Sequence, residues 1–517
     1  KPMRRCMSFL TGFEFEFGTI EKKEVSMKLN DTIINKPNIL LIISDEHNPK
    51  FTGCYGADFM KTPNLDSLFS EGIRFENAYC NSPMCVPSRM SFLAGRYSFD
   101  IGVWDNGSPL RREIPSFAHY LEASGYETVL CGRMHMIGND RTHGFRRRLY
   151  DDKELWITGY QTPHREPDWQ QRRNNSHVSE YGEGDGSHFE YDSMVADLAG
   201  RYLREKARRA ETDRHHKIDP SNQPWMMTVG FTYPHFPHII PQRYASLYDS
   251  TTLPLSPTRD QPAEDQHPAI RELRRAFCNL DTVPDEVQRE SLRCHLGSVS
   301  FIDEKIGELL EHIDGSPLKE NTVVIYTSDH GEMAGAHGIW QKQCFYEDSI
   351  RIPLLIRPPV GPDSKPGATF QKTVQTPVSL VDVAPTLLTL ADTPVPPAMP
   401  GTSLLHIDSS EPNDRPVFSE YHAQGSLSGY YMIKQGNLKY NYYVDGKPEL
   451  FDLASDPEEL RNLVGEPAYA DGEAGLHREL LCTVGDPKKV DRGAKEDQIA
   501  RLSAMAVSDR TGLAKAK

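Results

Sequence analysis

Five short apolar runs, set far apart along the chain, limit what it can fold into. They are Asn38–Ser44, Thr128–Gly132, Pro224–Phe231, Thr322–Ser328 and Ile352–Arg357. Continuous apolar runs without polar alternation mark strands buried on both faces. Helical patterns lie between them, as at Ser300–Leu310 and at Thr62–Phe69, where Pro63 suits a first helical turn. This alternation predicts an α/β fold, a large and mostly parallel sheet between helices. Such sheets bind ligands beyond the carboxyl ends of their strands. Two of the runs end there in polar clusters, Asp45-Glu46-His47 and Asp329-His330.

The rest of the chain divides around this pattern. Residues 1–36 read as an N-terminal extension, 37–400 as the main domain, and 401–517 as a smaller C-terminal α+β subdomain. The boundary is the Pro-rich stretch Thr393–Pro400. Beyond it, Gly429–Lys434, Leu438–Tyr443 and Glu449–Leu453 predict a small antiparallel sheet, followed by a charged tail over 485–517. The polar segments 151–222 and 250–290 read as long excursions over the surface.

Charge and hydropathy exclude several classes. Lys plus Arg number 58 against 73 Asp plus Glu, a net charge of −15, which argues against a general nucleic-acid binder, since that needs a basic face, and leaves room for a local basic pocket for a small anion. Mean hydropathy is −0.56 and no run of 18 apolar residues occurs, so no membrane span is expected. The 9 cysteines, spread from Cys6 to Cys482, form no disulfide framework. Residues 1–26 lack the uninterrupted apolar region of a secretory leader, since Glu14 and Glu16 break it, and a cytoplasmic protein is expected.

The most specific string is Cys85-Val-Pro-Ser-Arg89, followed by Leu93-Ala-Gly-Arg96. Pro87 fixes the backbone near a helix start, so Cys85 falls at a helix N-terminus, where free amides and the dipole favour negative charge. Arg89, one turn on, reaches the same point. This string resembles the signature of the sulfatase family, within the alkaline-phosphatase superfamily, and its closest likeness is to choline-sulfatase-like and arylsulfatase members. Further motifs follow in order. Gly132-Arg133-Met134-His135 resembles the family's Gly-Lys-x-His, with Arg in place of Lys. Pro234-His235-Phe-Pro resembles its Pro-His-x-Pro turn, Gly338–Glu347 its Lys-bearing loop with Lys342, and Trp104-Asp105-Asn106 a segment whose Asn contacts the anion.

The resemblance implies an alkaline-phosphatase-like fold and hydrolysis of sulfate monoesters. It implies that a formylglycine-generating enzyme oxidises Cys85 to formylglycine. It makes Asp45, residue 85, Asp329 and His330 ligands of one divalent ion, usually Ca2+, with Mg2+ or Mn2+ as alternatives. The family often has Asp-Asp where this chain has Asp45-Glu46, which leaves the role of Glu46 open. In the implied mechanism the formylglycine hydrate attacks sulfur. Arg89 and Arg133 balance charge, and Lys342 and Asn106 hold sulfate oxygens. His235 or Lys342 protonates the leaving alcohol, and His135 takes the second hydroxyl's proton. The partners implied are a small sulfated substrate, the maturation enzyme and, through the 485–517 tail, a second copy of the chain.

Three other readings compete. Phosphonate monoester or phosphodiester hydrolases share this apparatus, although His135 favours a sulfatase. A binding protein without catalysis predicts lost ligands, and none is lost. A redox thiol at Cys85 lacks a resolving cysteine in the motif, with Cys80 the nearest. For a choline-like leaving group, Trp104, Tyr233, Phe236 and Trp340 are the aromatic candidates for a cage.

Overall fold

The computed structural model describes residues 36–153, 175–216, 223–277, 283–360, 371–407 and 414–510. The N-terminal extension therefore falls, all but Lys36, outside the described residues. At the centre is an eight-stranded sheet. From one edge its order is Lys372–Val374, Ile73–Phe75, Leu354–Arg357, Thr322–Ser328, Asn38–Asp45, Trp225–Pro234, Glu127–Gly132 and Arg147–Tyr150. Each neighbouring pair is parallel except the two made by Leu354–Arg357, which runs antiparallel to both its neighbours.

Strand Asn38–Asp45 shows why the apolar runs are unbroken. Ile39, Leu41 and Ile43 enter one hydrophobic core, whereas Leu40 and Ile42 enter another on the opposite face. The second core is closed by two 30-residue helices, Ser187–His216 and Asp285–Asp314. The first of these lies within the segment expected to be a surface excursion. Its composition is highly polar, and a single stripe that includes Tyr191, Val195, Ala199, Tyr202 and Leu203 is buried in the second core. The segment 250–290 likewise contains a helix, Pro268–Phe277.

The C-terminal antiparallel sheet runs Val417–Tyr421, Tyr430–Gln435, Leu438–Tyr443, Glu449–Asp452, in that spatial order. Helix Ala470–Val484 covers it through Leu476, Leu480 and Val484. The charged tail is helical over Pro487–Arg510. This helix lies on its own chain, with Asp497 accepting from Trp104 Nε1 and Arg501 paired with Asp105. No helix among the described residues is long and apolar enough to cross a membrane.

Candidate active site

Four adjacent strands deliver their polar ends to one place. Thr322–Ser328 leads into Asp329 and His330, and Asn38–Asp45 ends in Asp45. Trp225–Pro234 leads into His235, and Glu127–Gly132 into Arg133 and His135. The last two strands pair in parallel through a facing pair of glycines, Gly132 and Gly230. A Cβ on Gly230 would lie 1.8 Å from the Arg133 carbonyl oxygen, so only glycine permits that approach.

Helix Cys85–Ala94 points its N-terminus at these strand ends, and all ten of its residues are buried. Cys85 is its first residue, as the motif predicted. Arg89 crosses beneath. Its Nε donates to Asp329 Oδ2 (2.7 Å), one terminal nitrogen to Asp45 Oδ2 (3.1 Å), and the other to the Arg133 carbonyl (2.8 Å). Arg133 Nε donates to the same Asp45 oxygen at 2.6 Å. Burial works against the Asp45 carboxylate, but Arg133 and Arg89 hold its pKa well below the usual range. The arginines thus bind the outer oxygens of the two carboxylates and leave the inner ones to face each other.

Those inner oxygens meet a ring nitrogen and a sulfur. His330 Nε2 lies 3.8 Å from Asp45 Oδ1, 3.7 Å from Asp329 Oδ1 and 3.3 Å from Cys85 Sγ. His330 Nδ1 is 3.1 Å from the Gly331 carbonyl, which fixes its hydrogen there and turns the Nε2 lone pair inward. Two carboxylate oxygens and an imidazole nitrogen therefore converge on the Cys85 sulfur. The donor atoms of Asp45, Cys85, Asp329 and His330 all lie within 4.8 Å of one another. A divalent cation fits such a set of donors.

Glu46 stands beside this cluster rather than in it. Its Oε1 accepts from Lys342 Nζ at 3.0 Å, and its Oε2 lies 3.5 Å from His235 Nε2. Glu46 also groups with Asp45 and His235 as a second possible set of metal donors. Burial, aided by Glu332, pushes the Glu46 carboxyl up. Burial opposes the Lys342 ammonium, but Cys85, Glu46 and Asp45 outweigh it, so Lys342 stays charged. Burial and then Lys342 push His235 down, which leaves it neutral.

His135 has a left-handed backbone, φ 55°. Asp152, not anticipated from the motifs, holds it so. Its carboxylate accepts the N–H groups of Met134 (2.7 Å), His135 (2.6 Å) and Met136 (3.0 Å), and is neutralised by Arg148 at 2.7 Å. Asp192 does the same for the turn before His235, accepting from Thr232 and Tyr233 at 2.8 Å each. No local signal marks either carboxylate, because each acts on a turn 16 or more residues away. Arg133 donates to His135 Nδ1 (3.0 Å), which sets the imidazole hydrogen on Nε2. In this tautomer Nε2 carries the hydrogen, so accepting a proton at Nε2 requires the other tautomer.

Asn106 reaches the helix start by a route the motif did not show. Its Oδ1 accepts the Val86 N–H at 2.9 Å, and its amide NH2 has no protein partner among the described residues. Of the four aromatic candidates, Trp104, Tyr233 and Trp340 are buried, Trp104 donating to Asp497 and Tyr233 to the Ile239 carbonyl. Phe236 alone is half-buried at the site, stacked on His235 with ring centroids 4.6 Å apart.

The family model described as Sulfatase matches residues 37–393, well over half the chain. The chain belongs to the sulfatase family. A second model, N-sulphoglucosamine sulphohydrolase, C-terminal, matches residues 335–484 of this sulfatase. The sulfatase is 34% identical to the choline-sulfatase of Rhizobium meliloti (strain 1021) over 478 residues, 90% of each chain. It is 26% identical to the N-acetylglucosamine-6-O-sulfatase of Bacteroides thetaiotaomicron, over 89% of this chain and 88% of that one. In structure it resembles the phosphonate monoester hydrolase of Agrobacterium radiobacter (TM-score 0.69, 22% identity, 86% of this chain and 95% of that one). It also resembles a protein solved with its substrate D-glucosamine-2-N,6-O-disulfate (TM-score 0.67, 23% identity, 88% and 99%). At these identities the structural likenesses speak for the fold. The sulfatase is a sulfuric ester hydrolase.

Proposed function

We propose that this sulfatase cleaves the sulfate monoester of a small alcohol at residue 85, with Cys85 matured to formylglycine by a formylglycine-generating enzyme. The observation that carries the proposal is the convergence of residue 85, Asp45, Asp329 and His330 in a buried cluster bordered by Lys342, Arg133, His135 and His235. A thiol is ill suited to the task, because burial and then Asp45 push Cys85 up to about 12. The same shift argues against a redox thiol, and burial pushes Cys80 up as well. Formylglycine supplies a hydrated aldehyde whose hydroxyl is the nucleophile. Asp45, Asp329, His330 and side chain 85 would hold a divalent ion, Ca2+ by family usage with Mg2+ or Mn2+ as alternatives, which supplies Lewis-acid stabilisation of anionic oxygen.

The protein's own groups then have distinct tasks. Every nitrogen of Arg89 is engaged with Asp45, Asp329 or the Arg133 carbonyl, so Arg89 fixes the two carboxylates rather than touching sulfate. Arg133 fixes Asp45 and orients His135. Lys342 offers the sulfate a standing positive charge, and the Asn106 amide offers it an N–H. His235, Glu46 and Lys342 form one linked chain, and the leaving oxygen takes its proton from this chain.

Choline sulfate is the substrate we favour, on the strength of the likeness to a choline-sulfatase over 90% of both chains. A cytoplasmic setting accords with Cys54, Cys80, Cys85, Cys131, Cys294 and Cys344 all being unbridged. The test is sulfate release by matured enzyme from choline, aryl and sugar sulfates, with an aryl phosphonate alongside. Mass spectrometry of the peptide bearing residue 85 reads the maturation. We expect an aldehyde at residue 85, sulfate release abolished by a chelator, and choline sulfate as the best substrate. Full activity with an intact thiol overturns the mechanism, and faster phosphonate cleavage overturns the substrate class.

A further inference from the structure

The segment Val103–Ser108 joins two things that lie far apart in sequence. On one side, Asn106 caps the helix that begins at Cys85 through its Oδ1 and the Val86 N–H. On the other, its neighbours are held by the C-terminal helix. Asp105 is buried at 2% exposure. One terminal nitrogen of Arg501 donates to both of its carboxylate oxygens, at 2.8 and 2.6 Å. Gln498 Nε2 donates to Oδ2 at 2.8 Å, and to the His422 carbonyl at 3.0 Å. Arg501 also bonds Ser108 Oγ. On the adjacent residue, Trp104 Nε1 donates to Asp497 at 2.9 Å, and its ring meets His422 edge-on with centroids 5.1 Å apart.

Asp105 closes the turn itself. Its Oδ1 accepts the Gly107 N–H at 2.8 Å and the Ser108 hydroxyl at 3.1 Å. The carboxylate therefore shapes the backbone on both sides of Asn106, and it needs a cation because it lies out of water. That cation comes from a helix almost 400 residues further along the chain.

We infer that Arg501 and Asp105 are positioning residues for catalysis, and that the C-terminal helix acts on the active site through Asn106. The clasp fixes the Asn106 amide against the first turn of the nucleophile helix and so aims its remaining N–H groups at the substrate anion. This deepens the proposed function and rests on its reading of Asn106 as an anion contact. The arrangement assigns the tail a role inside its own chain, whatever else it contacts.

Kinetics of matured enzyme test it in four forms: wild type, Arg501→Ala, Asn106→Ala and the double variant. Arg501→Ala should lower kcat/KM by roughly ten- to hundredfold, the cost of a reacting group misplaced by about an ångström. In the Asn106→Ala background the same change should have almost no further effect, because the group it positions is gone. Arg501→Lys, which keeps the charge but loses the planar fork, should recover part of the loss. The melting temperature of each variant is read alongside. The inference is overturned if Arg501→Ala keeps full kcat/KM, or if its kinetic effect multiplies undiminished onto Asn106→Ala, since a role in overall stability predicts the latter. A wild type that releases no sulfate from any ester would instead sink the proposed function, so the two failures are distinct.

Discussion

At the floor of the site, Asp45, Arg89, Asp329 and His330 are all 0% exposed, and their polar groups bond mainly to one another. At the rim, the His235 side chain is 16% exposed, and Phe236 and Asn106 are half-buried. The floor is made of strand ends and one helix start, the rim of loops. Rigid elements fix charge to within tenths of an ångström, whereas loops can change their lining without disturbing the sheet. We therefore assign the nucleophile and its carboxylates to the floor and the choice of alcohol to rim side chains such as Phe236, with Asn106 and His235 reaching from the rim to the reacting group.

Breaking the floor should cost most. Cys85→Ala removes the nucleophile and should reduce sulfate release by roughly a thousandfold or more, read as kcat against every ester tried. A loss confined to one ester would mean that residue 85 belongs with the rim. Next comes Asp152→Asn, which keeps the shape of the side chain but removes the charge that holds the His135 turn. We expect kcat to fall by roughly ten- to hundredfold with KM little changed. A rise in KM alone would move His135 from the chemistry to binding. Phe236→Ala is the test of the rim. Its effect should stay within about tenfold and differ between choline, aryl and sugar sulfates, since one apolar contact is worth only a few kcal/mol. A uniform loss over all three would erase the division between floor and rim.

The smallest expected effect concerns Asp192, which supports the rim from beneath. Burial raises its pKa to about 7, against near 3.9 in an unfolded chain. A raised folded pKa means that the stabilisation is complete below about 3.9 and is lost as pH climbs through about 7. The wild type should thus lose a few degrees of melting temperature relative to Asp192→Asn between pH 5 and pH 8. Parallel curves for the two proteins would show that Asp192 does not titrate in this window.

The same division explains what could be read in the sequence. Strand Asn38–Asp45 and its partner Thr322–Ser328 were legible because burial on both faces leaves no freedom of composition. Cys85, Arg89, Asp329 and His330 were picked out by the likeness of their motifs to those of the sulfatase family, and the fold brings them together. Helix Ser187–His216 was not legible, since it needs only a single buried stripe and solvent sets the rest. Asp152 and Asp192 were not, because each serves a turn on a different segment, and nothing near them in sequence records that partner. Glu46 was legible as a departure from the family pattern. Its ion pair with Lys342, 296 residues away, required the fold.

All ten residues of the helix that starts at Cys85 are sealed inside the protein. A separate catalyst that converts the thiol to an aldehyde needs to grasp the stretch of chain around it, and the finished molecule offers no grip. On the maturation proposed above, the edit is written while the polypeptide is still open. On that proposal, a chain that folds ahead of the edit encloses a thiol where the aldehyde belongs, and the yield of working enzyme follows which of the two comes first.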